Sequence, residues 1–364
     1  MKHTWKKMIC MVSALLMTGC TNQGTSSEVT VETTAPPVTT VVTTTTVPVT
    51  QTTPAPIPSG VNPLTGESGY REEAIGKRPV AVMVNNIRDA LPQYGIAQAD
   101  IIYEMLVEGG ITRLMAVYAD YGSMPNICSV RSCRYYYPIV ALGMDAIYCH
   151  WGMDQTIAKD TLNRLRIDHL DGGGNGWQLC FFRDTERMMH YASEHTGFLK
   201  GSKIPDAIEQ YGFRTETDHG NAFCFRDPKE FVSSGEPCHE AVAHFSYAYW
   251  STFDYDETNH VYLKQHSGNP HMDSATGTQL SFTNLFFLQT DIGLRDNQYL
   301  VDIALQGGSG YYVSAGSYQK IRWEKTAESE PIRVYEEDGD ELQVNAGKSY
   351  IGFIDYDYRL ELKE

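Results

Sequence analysis

Long apolar runs are missing from this chain. Its N-terminal apolar stretch, Met8 to Met17, has about ten residues, whereas a bilayer-spanning helix needs roughly 20. No Walker loop, G-x-S-x-G elbow or dinucleotide fingerprint occurs, so the chemistries built on those motifs have no support and no cofactor is expected. Basic residues are few: 29 Lys and Arg stand against 45 Asp and Glu, a net charge of −16. Nucleic-acid affinity rests on neutralising phosphates with Lys and Arg, so such partners are excluded. The same acidity opposes adhesion to anionic lipid or teichoic acid. Metal spacings are lacking too. Cys128-x₄-Cys133 has no second half, and His190, Glu194 and His195 miss the inverted zincin pattern because the two histidines stand five apart instead of four.

What is present begins with a signal. A basic start at Lys2, Lys6 and Lys7, the short apolar run and the ending Leu16-Met17-Thr18-Gly19-Cys20 make residues 1–20 a lipoprotein signal peptide with Cys20 as the lipidated residue. Its ending resembles the bacterial lipobox, with Met17 where Leu is preferred. Losing those three lysines takes the net charge from −16 to about −19. Residues 21–60 hold fourteen Thr, six Pro and seven Val, with no Lys, Arg or aromatic residue. Such a segment cannot bury enough surface to offset its ordering entropy, so a disordered tether is expected. At about 3.1 Å per residue it would reach roughly 100 Å. The anchor would place the protein on the outer face of the cell membrane, with a cell-wall component or envelope protein as candidate partner.

About 300 residues remain, more than one core usually serves. Residues 61–228 alternate strand-like and helix-like segments. Pro79 to Asn85, Asp100 to Glu108, Arg113 to Ala119 and Ala146 to His150 read as strands, with a two-glycine hairpin at Gly109-Gly110. Helices are expected over Tyr135–Met144, Ile157–Leu170 and most of Asp184–Tyr211. From Ala241 onward short β runs are broken by turns, one of them at Asp338-Gly339. The fold class is therefore a mixed α/β N-terminal domain over 61–228 followed by a β-rich, mainly antiparallel C-terminal domain over 240–362. One large sheet serving both halves is the alternative. The six cysteines of this region, Cys128, Cys133, Cys149, Cys180, Cys224 and Cys238, are either disulfide-bonded or buried thiols, and spacing does not choose.

Four places could carry chemistry. Glu104 and Glu108 share a strand face with Asp100, but four residues span about 13 Å, beyond the 5 to 10 Å of a glycosidase carboxylate pair. Arg131, Ser132 and Arg134 lie between a short strand and a helix and suit a carboxylate or phosphate. Equally, the two arginines could pair internally with Glu104 or Glu108. His150 ends an apolar strand, where α/β sheets present functional groups, and Asp154 follows it. The loop Asp171 to Gly176 is glycine-rich but lacks the acidic count of a calcium site.

Taken in order, these segments resemble the YerB-like lipoprotein family, a bacterial family with N- and C-terminal domains. The similarity runs through Asn62-Pro63-Leu64-Thr65-Gly66, Arg78 to Asn86, Gln98 to Glu104 and Val107 to Arg113. Val130-Arg131-Ser132-Cys133-Arg134 is similar to the family's V-R-S-A-R, with Cys133 in place of Ala and Cys128 in place of an upstream Gly. Asp273, Asn284, Gly307 to Gly310 and Trp323 fit its C-terminal pattern. The resemblance implies a two-domain exported lipoprotein and implies no reaction. Glu104, Glu108, Arg113, Arg131, Ser132, Arg134 and His150 are the candidate ligand-site residues. A binding or assembly module at the cell envelope is expected, with a hydrolase acting on an envelope polymer as the alternative.

Overall fold

The computed structural model describes residues 60–217, 219–296 and 299–364. The signal peptide, the lipidation candidate Cys20 and the tether up to residue 59 lie outside the described residues. Strands and helices in chain order are β1 (Val80–Asn85), β2 (Ile101–Val107), β3 (Ile111–Tyr118), α1 (Tyr136–Gly143), β4 (Ile147–His150), α2 (Ile157–Arg164), β5 (His169–Asp171) and α3 (Ile204–Tyr211). There follow β6 (Glu240–His244), β7 (Trp250–Asp256), β8 (Val261–His266), β9 (Asn284–Thr290), β10 (Gly307–Ser314), β11 (Ser317–Glu324), β12 (Ser349–Asp355) and β13 (Leu360–Lys363). Shorter strands are named by their residues.

An eleven-stranded sheet forms the middle layer. From one edge its order is Glu236–Pro237, β11, β10, β9, β12, β2, β3, β1, β4, β5, with Arg333–Tyr335 beside β11. Every residue of β1 is buried, which is why it reads as a continuous apolar run instead of an alternating one. Val80, Val82 and Val84 enter the core on one face and Ala81 and Met83 the core on the other. The two halves of the chain meet inside this sheet, where β2 pairs in parallel with β12 from Ile101↔Ser349 to Glu104↔Gly352. Because β1, β2, β4, β5, β9 and β12 all run the same way, their carboxyl ends line one edge.

A second, six-stranded antiparallel sheet covers one face, in the order Asn269–Pro270, β8, β7, β6, β13, with Ser281–Phe282 beside β8. Phe253 of β7 packs against Tyr350 of β12 at 4.6 Å between ring centroids. α3 lies in that layer, whereas α1 and α2 pack on the opposite face. The result is a mixed α/β first half and a β-rich second half.

Sequence and structure part over two segments. The helix expected over 157–170 stops at Arg164; Arg166 takes a left-handed φ of 51° and the chain re-enters the sheet as β5. Over 184–211 only Ile204–Tyr211 is α-helical, and Gly197–Leu199 is instead a strand pairing with Phe181–Arg183. Gly197 sits against Trp151, where an added Cβ would lie 2.6 Å from its ring, so a tertiary contact sets the local conformation. The Gly109-Gly110 connection does join β2 to β3, with φ of 79° and 69° that favour glycine. All six cysteines in the described residues are free thiols.

Candidate functional site

The carboxyl edge of the central sheet gathers most of the candidate residues on its helical face. β2 ends in a tight turn that carries Glu108, and β1 ends at Asn85. The segment Val130–Arg134 crosses beside β1, held by Arg131 N–H to the Met83 carbonyl at 3.0 Å and by Trp151 N–H to the Arg131 carbonyl at 2.9 Å. Cys133 N–H donates to the Gly152 carbonyl at 2.9 Å, tying the segment to the end of β4. This backbone framework fixes where the arginines start.

Three guanidinium groups meet there. Arg113, on β3 and only 5% exposed, donates from Nη1 to the Ser132 carbonyl at 2.6 Å. Arg134 pairs with Glu108 through Nε at 2.5 Å. Arg131 is half-buried, and its Nε has no hydrogen-bond partner among the described residues. Neither has Glu108 Oε1. Burial, and then the neighbouring charges of Arg134 and Arg131, push the Arg113 guanidinium down to about 10. Arg183 adds to the positive field at Arg131 and lies over the Trp151 ring at 4.5 Å. One carboxylate in direct contact does not neutralise this cluster, although Glu194 is near enough to favour the charged form of Arg131. In a chain of net charge −16 it is a local reversal of sign.

Glu104 goes elsewhere. Its side chain points to the opposite face, into the layer beneath the second sheet, and is 1% exposed. There it accepts from Thr112 Oγ1 at 2.7 Å, Asn86 Nδ2 at 3.0 Å, Ser251 Oγ at 3.0 Å and Tyr350 OH at 2.8 Å, and faces Lys264 Nζ at 3.3 Å. Burial would raise the Glu104 carboxyl, but Lys264 and the hydrogen bond from Thr112 outweigh it and hold it below its usual range. Lys264 also donates to Ser251 Oγ at 2.7 Å and to His271 Nδ1 at 3.2 Å, and His271 Nε2 then donates to Gln93 Oε1 at 2.8 Å. The network closes through Gln93 Nε2 to Asn86 Oδ1 at 3.1 Å. It contains a buried ion pair with its remaining hydrogen-bonding capacity largely filled.

His150 is fully enclosed. Its Nδ1 donates to the Gly152 carbonyl at 2.9 Å and its Nε2 accepts from His169 Nδ1 at 3.0 Å, with the two rings stacked at 5.1 Å. Burial, partly opposed by Asp171 and reinforced by His169, lowers it to about 4, so the ring is neutral near pH 7. Asp154 does not reach it; instead its Oδ1 accepts from Ile157 N–H at 2.8 Å and caps the start of α2. Asp171 braces the neighbouring loop by accepting from Gly152 N–H at 2.7 Å and Gly173 N–H at 2.8 Å.

Thus Glu108, Arg113, Arg131, Ser132 and Arg134 come together, whereas Glu104 and His150 are held in separate buried settings. Sequence reasoning missed Arg183, Trp151 and Lys264. Arg183 and Trp151 stand 32 residues apart with no shared motif, and Lys264 meets Glu104 only because the second sheet folds over the first.

"Putative lipoprotein YerB" of Bacillus subtilis (strain 168) is 28% identical over 305 residues, covering 80% of this chain and 85% of that protein. The crystal structure of YerB protein from Bacillus subtilis superposes with a TM-score of 0.70 at 27% identity, covering 81% of this chain and 96% of the other. Residues 64–214 match the N-terminal domain, and residues 241–351 the C-terminal domain, of the family described as protein of unknown function DUF3048; the chain belongs to that family.

Proposed function

We propose that this protein is a membrane-anchored lipoprotein on the outer face of the cell membrane, and that its ectodomain binds a discrete anionic group of the envelope through Arg113, Arg131 and Arg134. The observation that carries the binding role is the arginine cluster: three guanidinium groups around one contacting carboxylate, with the Arg131 Nε unpartnered. A carboxylate or phosphate entering there would complete the hydrogen bonding of Arg131 and offset the repulsion that lowers Arg113. Its position outside the carboxyl ends of parallel strands is a common place for ligands in α/β sheets. The overall negative charge repels extended polyanions, so the fitting ligand is a compact one, such as the carboxylate of a wall peptide. Anchoring through Cys20 is supported by the signal-like N-terminus and by the name of the Bacillus relative.

Binding is favoured over catalysis because two of the three acid/base candidates are withdrawn from the arginines, Glu104 spent on Lys264 and His150 on His169, while the third, Glu108, is engaged by Arg134. The test is to incubate the purified full chain with isolated wall sacculi and to assay both retained protein and soluble products. Retention without release is expected, and Arg131→Ala should abolish it. Release of soluble fragments that stops in His150→Ala would replace the binding reading with the hydrolase.

A further inference from the structure

A second cleft opens on the helical face of the central sheet, away from the arginines. Its floor is the apolar surface of Tyr103, Phe286, Leu288 and Ile351, and its walls are the end of α1, the Pro331–Val334 segment and residues flanking Phe223. Counted out to solvent, its empty volume is about 970 Å³. The part of it that admits a water-sized sphere is about 120 Å³, and like small-molecule sites it is apolar with a few placed polar groups.

Three polar groups face this apolar space with capacity unspent. The buried atoms His219 Nδ1 and Asn221 Oδ1 have no hydrogen-bond partner among the described residues. Tyr103, 4% exposed, gives its hydroxyl only to the Met144 sulfur at 3.5 Å, and a thioether is a weak acceptor. Leaving such groups unmet in an apolar wall is unfavourable, and a ligand hydroxyl would supply the missing hydrogen bonds. Nearby cations are already engaged: Lys77 with Glu216, Arg333 with Glu341 at 3.5 Å, and Lys325 with the Glu328 and Glu330 carbonyls. An anionic head would therefore find no ready counter-charge.

We propose that this cleft binds a long-chain amphiphile with a neutral, hydroxyl-bearing head, its chain on Phe286, Leu288 and Ile351 and its hydroxyls on Asn221, His219 and Tyr103. The site is built from both halves of the chain and is independent of the arginine cluster.

The experiment titrates 1-monolauroylglycerol, below its micellar concentration, into the full chain carrying Cys20→Ser, which removes the candidate lipidation site and the need for detergent. Lauric acid and methyl laurate serve as comparators. We expect saturable binding at one site, weaker binding of lauric acid, and no effect of Arg131→Ala. Ala222→Trp, which fills the cleft, should reduce affinity at least tenfold. Asn221→Leu should weaken 1-monolauroylglycerol about fivefold while leaving methyl laurate unchanged, and this decides the matter if Ala222→Trp fails to fold. Absence of saturable binding, tighter binding of lauric acid, or indifference to Asn221→Leu would each overturn the proposal.

Discussion

At the scale of single residues, the pairing of Glu104 with Lys264 separates structural from ligand-facing charge. Both side chains are essentially inaccessible, at 2% and 0% exposure, so removing one leaves the other charged in an apolar layer. Lys264→Met should cost about 3–5 kcal/mol, read as a lower midpoint in urea denaturation. Glu104→Gln combined with Lys264→Met should recover part of that loss, because no lone charge remains. If Lys264→Met unfolds no more easily than the parent, the pair does not lock the layers as described. The sequence shows Glu104 inside an apolar strand but not its partner, 160 positions later, because nothing local to either residue encodes the closure of one sheet over the other. Asp273 and Asn284, which fit the family's C-terminal pattern, prove similar in kind. Asp273 accepts from Gly95 N–H at 2.9 Å and Ala97 N–H at 2.7 Å, and Asn284 donates to the Asn345 carbonyl at 2.9 Å. Both family-pattern residues therefore hold elements together instead of facing a ligand.

At the scale of elements, buried histidines join strands and make the fold sensitive to acid. His150 joins β4 to β5, while His266 on β8 donates from Nε2 to the Asn86 carbonyl just beyond β1 at 2.8 Å. Burial lowers His150, His266 and His271 below the ordinary histidine value of 6.5. Between that value and the folded one, the unfolded chain binds protons that the native state refuses, so stability must fall as pH falls through this window. For His150 the window runs from 6.5 to about 4. Each such histidine contributes up to about 1.4 kcal/mol per pH unit there. Glu104, held below its usual range, acts in the same direction at lower pH. Thermal melting should therefore drop between pH 7 and pH 5, and His271→Gln should flatten the profile; a flat parental profile would contradict the neutral assignments. The strand that carries His150 is readable as an apolar run, whereas β5, which carries its partner His169, reads as helix from the sequence. Helix extents were not readable, since Gly197 against Trp151 and the left-handed Arg166 obey tertiary contacts over local periodicity.

At the scale of the whole molecule, the parallel seam between β2 and β12 makes the two halves of the chain one sheet. We propose that they fold as one cooperative unit. A fragment of residues 61–228 would lose β12 and expose the edge from Ile101 to Glu104, and Lys264 would be absent. Expressed alone, it should aggregate or lack a cooperative melt, whereas a native-like melt would show that the halves are independent. Composition foretold a mixed α/β first half and a β-rich second half, and it left open whether one sheet served both. Only pairing across 248 residues, Ile101 with Ser349, could decide that.

The arginine cluster draws on all three scales: side chains that repel, a segment pinned between strand ends, and a net-acidic molecule in which this cluster reverses the sign locally. Its direct test is calorimetric titration of a soluble wall muropeptide into the full chain and into Arg131→Ala, with Lys200→Ala as a surface-charge control. A charge-assisted hydrogen bond is worth about 1.5–3 kcal/mol, roughly a 10- to 150-fold change in affinity. The account predicts saturable binding to the parent and to Lys200→Ala, and at least tenfold weaker binding to Arg131→Ala with unchanged melting. Equal affinity of Arg131→Ala and the parent would contradict it.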